Sequence, residues 1–204
     1  MWLCLRLDRL VLVPLLALAS LGCATSKSGT EANSAAGATA LDYYPLSPGW
    51  GWAYEIEREG TNVLALYSVA ERGPNFAIVK HGEERIAYAI LADGIARREG
   101  SLHGDYVIKT PVRTGNAWPV ESGTATVVET GKTVTLPAGV LQDCAVVEEV
   151  RRDPGRVTRT TYCRGAGPVE IEMRVFSPVK GIYEVLVHAR AMSVSPPEDA
   201  NPSN

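Results

Sequence analysis

The chain has 204 residues, a formal net charge of −3 and 46% hydrophobic residues. That length accommodates one domain with a real core. The mild acidity excludes the basic patch or stripe by which nucleic acid is normally bound, so no nucleic-acid partner is expected. In chain order the first element is a targeting segment. Arg6 and Arg9 form a weakly positive start, and "LVLVPLLALASLG" from Leu10 to Gly22 is an apolar run. It is interrupted by Pro14 and is too short for a comfortable span of about 20 residues. Residues 1–22 therefore read as a leader, to be set aside before any fold argument.

The leader ends in "ASLGC", with the small Gly22 directly before Cys23. This resembles a bacterial lipoprotein lipobox, with Ser20 where leucine is commonest. The resemblance implies cleavage before Cys23 and acylation (palmitate among the acyl groups) of its thiol and new amino group. Since each buried CH₂ contributes about 0.8 kcal/mol, two or more chains anchor stably. Membrane contact through Cys23 is thus the expected partner interaction. Ala24, a non-aspartate, implies the periplasmic face of the outer membrane in the familiar sorting scheme. Residues 23–41 follow as the lipidated cysteine and a flexible linker of Ala, Ser, Thr and Gly without periodicity. Its 17 residues from Ala24 to Ala40 would span roughly 20–25 Å, enough to hold a domain off a bilayer.

Residues 42–194 read as a single antiparallel β domain, and 195–204 as a disordered tail. Trp50, Trp52, Tyr54 and Ile56 alternate with Gly51, Ala53, Glu55 and Glu57, the period-two signature of a half-buried strand. "REGTN" turns the chain, and Val63, Ala65, Tyr67 and Val69 continue the pattern. Further strands follow at "FAIVK", "RIAYAIL" and "DYVIKTP"; "EERIAYAIL" is the one stretch that could also be helical. "TATVVETGKTVTL" predicts a hairpin with a two-residue loop at Gly131-Lys132, setting Val127 opposite Leu136 and Glu129 opposite Val134. Val169, Ile171, Met173 and Val175 alternate with Glu170, Glu172 and Arg174, one face buried and one wet. "IYEVLVHARAM" closes the domain. About ten short strands imply an all-β curved sheet, half-barrel or sandwich with few or no helices beyond the leader.

With Cys4 removed in the leader and Cys23 acylated, Cys144 and Cys163 remain, a disulfide candidate in an oxidising compartment. A turn centred on Pro154-Gly155 would be closed by Asp153 and Arg156. That register puts Cys163 opposite Val146, leaving the sulfurs diagonal, about 7–8 Å apart between Cα atoms and beyond comfortable bonding. A longer or bulged turn would bring the two cysteines directly opposite.

Two stretches share Pro-x-x-x-Gly-x-x-Trp: Pro45, Gly49 and Trp52, then Pro111, Gly115 and Trp118. The second copy predicts the start of a second half of the sheet. Trp50, Trp52 and Tyr54 share one strand face and, with Trp118, form a candidate aromatic ligand surface; core packing is the commoner use of such area. Catalytic chemistry finds little support. Ser101, His103 and Asp105 in "GSLHGD" alternate, but neighbours on one strand face stand about 6.5–7 Å apart, too far for a triad. His81, His103 and His188 lack metal-ligand spacing, and His81 with Glu83 and Glu84 reads as a solvated turn. Glu148, Glu149, Glu170 and Glu172 read as outward charges. "GAG" at Gly165 to Gly167 lacks the rest of a phosphate loop. No cofactor, metal or catalytic residue is expected.

"YYPLSPGWGWAYEI", "VTLPAGVLQDCAVVEEV" and "YCRGAGPVEIE", in that order, resemble the TapB-like family of uncharacterised bacterial lipoproteins. This chain departs by Leu136 before Pro137, Leu141 in place of an aromatic, and Cys163 beside Tyr162. The resemblance implies localisation and a β fold, and brings no activity. The expected function is a lipid-anchored, non-enzymatic envelope protein of binding or structural type. The alternative is a periplasmic carrier of lipid or an acyl chain in a curved β pocket, and last a hydrolase; an apolar ligand or an envelope protein is the expected further partner.

Overall fold

The computed structural model describes residues 38–99, 102–137, 139–152 and 155–197. The leader, Cys23 and most of the linker, like Ser101 and Pro154, lie outside the described residues. A short helix, α1 (Ala40–Tyr43), precedes twelve strands. The first six are β1 (Gly51–Arg58), β2 (Thr61–Arg72), β3 (Phe76–His81), β4 (Glu84–Leu91), β5 (Gly94–Glu99) and β6 (Leu102–Lys109). The second six are β7 (Ala117–Val120), β8 (Gly123–Leu136), β9 (Gly139–Arg151), β10 (Arg156–Cys163), β11 (Gly167–Ser177) and β12 (Ile182–Ser195). "EERIAYAIL" is strand β4.

All twelve strands form one antiparallel sheet in the order β6-β5-β4-β3-β2-β1-β12-β11-β10-β9-β8-β7. Each strand pairs with its sequence neighbours except β6 with β7, which are the two edges, and the first pairs with the last: Gly51 lies opposite Ser195 and Arg58 opposite Val187. The sheet curls into a nearly closed barrel, helped by bulges at Ala53/Tyr54, Val69/Glu71 and Thr161/Tyr162. Such insertions bend a strand and raise its twist.

The ladder is interrupted between β6 and β7, and side chains bridge the gap. Trp118 Nε1 donates to Tyr106 O at 3.0 Å, and Tyr162 OH donates to Val107 O. The Asp105 carboxylate accepts from Glu121 N at 2.9 Å and from Arg151 at 2.7 Å. Without a ladder, these bonds hold the two sheet edges together.

The lower end of the barrel, where β1 begins and β12 ends, is plugged by the segment around α1. A capping box between Thr39 and Asp42 starts this helix. Ala40, Tyr43, Tyr44 and Leu46 are all buried. Ala40 N donates to Thr110 Oγ1, Val112 N to Ala38 O, Gly165 N to Asp42 O, and Tyr43 OH to Asp143. Packing thus starts ahead of the expected linker boundary at 41. At the other terminus β12 reaches Ser195, and Pro197 lies against Gly49.

Two expected registers are corrected. Gly131-Lys132 is not a hairpin loop: β8 runs through it and pairs with β9 throughout, Val127 opposite Val147 and Leu136 opposite Gly139. Gly131 has φ 75° and sits among three register shifts, so its freedom serves a bend within one long strand. Between β9 and β10, Arg156 pairs with Arg151, so the turn is four residues rather than two. That moves the register by two, sets Cys163 opposite Cys144, and the two are disulfide-bonded.

The two Pro-x-x-x-Gly-x-x-Trp copies open equivalent structures. Gly49 and Gly115 have φ 90° and 86°, as the third residue of a type II turn requires. Trp50 N bonds Ser47 O, and Asn116 N bonds Arg113 O. Gly49 and Trp50 exchange bonds with Val69, as Gly115 and Asn116 do with Val127. Leu46 and Val112 are buried at matching positions. Each copy feeds a run of six strands, β1–β6 and β7–β12.

Candidate ligand cavity

Alternation along curved strands sends one side-chain row inward. Even with large aromatic side chains among them, these rows leave part of the barrel centre unfilled. A cavity of about 390 Å³ remains, open to solvent. Its aliphatic wall includes Ile56, Val79, Val147 and Ile171; its aromatic wall is Trp52 with Tyr44, Tyr54, Tyr67, Tyr88, Tyr106 and Tyr162.

The aromatic wall is a connected set. Tyr44, rising from the plug, meets Trp52, Tyr88 and Tyr162 with ring centroids 5.8, 5.4 and 5.9 Å apart. Tyr67 meets Tyr54 edge-on at 5.5 Å and stacks on His81. Polar tips are partly committed: Trp52 Nε1 donates to Ala166 O at 2.6 Å, and Tyr54 OH to Pro168 O. Burial pushes the phenols of Tyr44, Tyr54, Tyr88 and Tyr162 up, so they stay neutral donors. Tyr88 keeps some accessible surface because it faces the cavity.

Two ionisable side chains other than tyrosine reach the lining, Arg97 and Glu149. Glu149, expected as an outward charge, turns inward and is held by Arg151 Nε at 2.5 Å and by Arg156 at 3.6 Å. Its neighbour Glu148 points outward to Arg159, at 2.6 Å. Glu170 meets His188 and Glu172 meets Arg174, also on the outer surface, where Glu170, Glu172 and Arg174 border a polar groove.

Of the four candidate aromatic residues, Trp52 and Tyr54 line the cavity. Trp50 stacks on Trp52 at 6.3 Å without reaching it, and Trp118 is buried at the β6/β7 gap. The tyrosines of β2, β4, β6 and β10, and Arg97, were not singled out from sequence. Their signal was present: Tyr67, Tyr88 and Tyr162 place a phenol hydroxyl at positions of their strands that line the cavity. The side chain of His103 lies outside the described residues, and Asp105 is spent on bridging the gap. His81 Nδ1 lies 3.1 Å from Leu66 O. Among the described residues no three His, Cys, Asp or Glu side chains gather as a metal site would need.

No protein-family model matches this chain, and no curated protein does. The resemblance to TapB-like lipoproteins therefore rests on its motifs. Among solved structures, the chain is similar to a candidate exported protein with a YmcC-like fold from Bacteroides fragilis, at 12% identity and TM-score 0.45. The similarity covers 74% of this chain and 98% of that one. It is also similar to a candidate lipoprotein from Parabacteroides distasonis, at 10% identity and TM-score 0.40, over 74% of this chain and 97% of that one. Likeness at this level says nothing about function.

Proposed function

We propose that this chain is a lipid-anchored, non-catalytic envelope protein that holds an apolar or amphipathic small molecule inside its barrel. The observation carrying this reading is the cavity itself: about 390 Å³, lined by tyrosines and aliphatic residues, in the place where a domain of this size would otherwise pack solid. Small-molecule pockets have this size range, about 300–1,000 Å³, and this apolar character with a few polar groups. The outer wall supports a water-exposed barrel. Glu55, Glu57, Lys80 and Arg190 are exposed on the outside, while Tyr44, Trp52, Tyr54 and Tyr162 are buried inside. A transmembrane barrel has the reverse arrangement. No helix among the described residues is long and apolar enough to cross a membrane.

The lipobox-like "LGC" supplies the tether, and the described chain starts at the plugged end of the barrel. Native mass spectrometry after gentle extraction should show a co-purifying small amphiphile that is lost when Tyr88→Trp fills the cavity. Apo protein at every stage of purification would overturn the carrier reading. The mass of the mature N-terminus tests the anchor independently, since an unmodified Cys23 would refute it.

A further inference from the structure

We infer that the ligand of this cavity is an acyl amphiphile with an anionic head group, a carboxylate or a phosphate, recognised by the Arg97 guanidinium. The inference rests on the cavity reading above and adds the chemistry of the occupant.

Charge balance in the lining leads to it. Glu149 is already answered by Arg151 and Arg156. Arg151 in turn bonds Asp105, and it meets Glu121 at 3.4 Å. Arg97 lines the same cavity and makes no hydrogen bond or ion pair with any described residue. Among the described residues it is therefore the cation of the lining without an ion-pair partner, and its exposed side chain stands at the solvent side of the cavity. A guanidinium presents a planar fork of donors that matches a carboxylate or phosphate in bidentate fashion.

Position agrees with charge. Arg97 sits on β5 opposite Tyr88 of β4. Its charge acts on both Tyr67 and Tyr88, opposing the rise that burial gives their phenols. Deeper in, the wall is Tyr44, Trp52 and Tyr54 over the plug. A head group at Arg97 would thus be accompanied by phenol donors, with its chain lying against the aromatic wall. Arg98, next in sequence and exposed like Arg97, does not line the cavity and provides a control on the same strand.

The test uses the full chain carrying Cys23→Ser, titrated calorimetrically with dodecanoate, dodecyl phosphate and dodecanol below their micelle concentrations. Both anions should bind about tenfold or more tighter than the alcohol, the scale of one charge-assisted bond. Arg97→Gln should remove that preference, and Arg98→Gln should keep it. The tighter of the two anions identifies the source, a fatty acid or a phospholipid. Equal binding of alcohol and anions, or a preference that survives Arg97→Gln, would overturn this inference while the cavity reading stands. Absence of binding by all three would sink both.

Discussion

Trp52 and Trp118 stand at the second position of their strands and spend their indole N–H on a backbone carbonyl from a distant segment, Ala166 and Tyr106 respectively. Replacing either by phenylalanine keeps most of the apolar contact and strands a buried acceptor, a loss of about 1–3 kcal/mol. Urea denaturation should show both Trp52→Phe and Trp118→Phe destabilised on that scale. A neutral Trp118→Phe would mean that the β6/β7 gap does not depend on this bond. The motif around these residues was legible in sequence because its glycines and tryptophans are identical in both copies. The hydrogen-bond equivalence of Val69 and Val127 was not, since a backbone partner leaves no mark on residue type. The cavity was hidden for a related reason. Period-two alternation tells which residues share a face, but not whether opposite faces meet or leave space between them.

At the level of elements, strand existence followed from alternation and turn residues, and register did not. "TGKT" has the composition of a tight hairpin, yet β9 offers one continuous partner for both sides of it, and pairing prevailed over local turn preference. The β9–β10 turn shows the opposite sensitivity. Two added loop residues preserve each side chain's face, because a shift of two keeps the period, and they alone bring Cys144 against Cys163. The bond closes a segment with a sequence separation of 19. Loop-closure entropy for that length is worth about 3 kcal/mol. Cys144→Ala with Cys163→Ala should lower unfolding free energy by about that amount in denaturant titrations, and a reductant should have no further effect on the variant. Stability unchanged by the double substitution would show that the register is held by the ladder alone.

The whole molecule concentrates phenols in its interior, and that sets its response to alkali. Burial raises the folded-state pKa of Tyr44, Tyr54, Tyr88 and Tyr162 above the ordinary value of 10.0. Tyr43 is pushed up to about 12, chiefly by burial and by its bond to Asp143. Below about pH 10 both folded and unfolded chains keep these protons, and the associated stability is fully present. As pH rises further the unfolded chain releases them first, so stability falls by about 1.4 kcal/mol per pH unit for each such tyrosine, until the folded pKa is reached. Absorbance of tyrosinate should therefore rise steeply above pH 10 together with loss of near-ultraviolet dichroism. A single gradual titration of all eight tyrosines near pH 10, with the dichroism intact, would contradict the buried arrangement.

The pairing of β1 with β12 has a consequence for how the chain comes to be folded. These two strands occupy the middle of the sheet, not its edges. Neither six-strand half can join the other by a ladder until the last strand has arrived. Contacts between residues so far apart in sequence are slow to form, because the chain must be brought together before they reward it. Closure of the barrel across its middle therefore waits for β12, which makes joining the two halves a late step of folding rather than one spread along the chain.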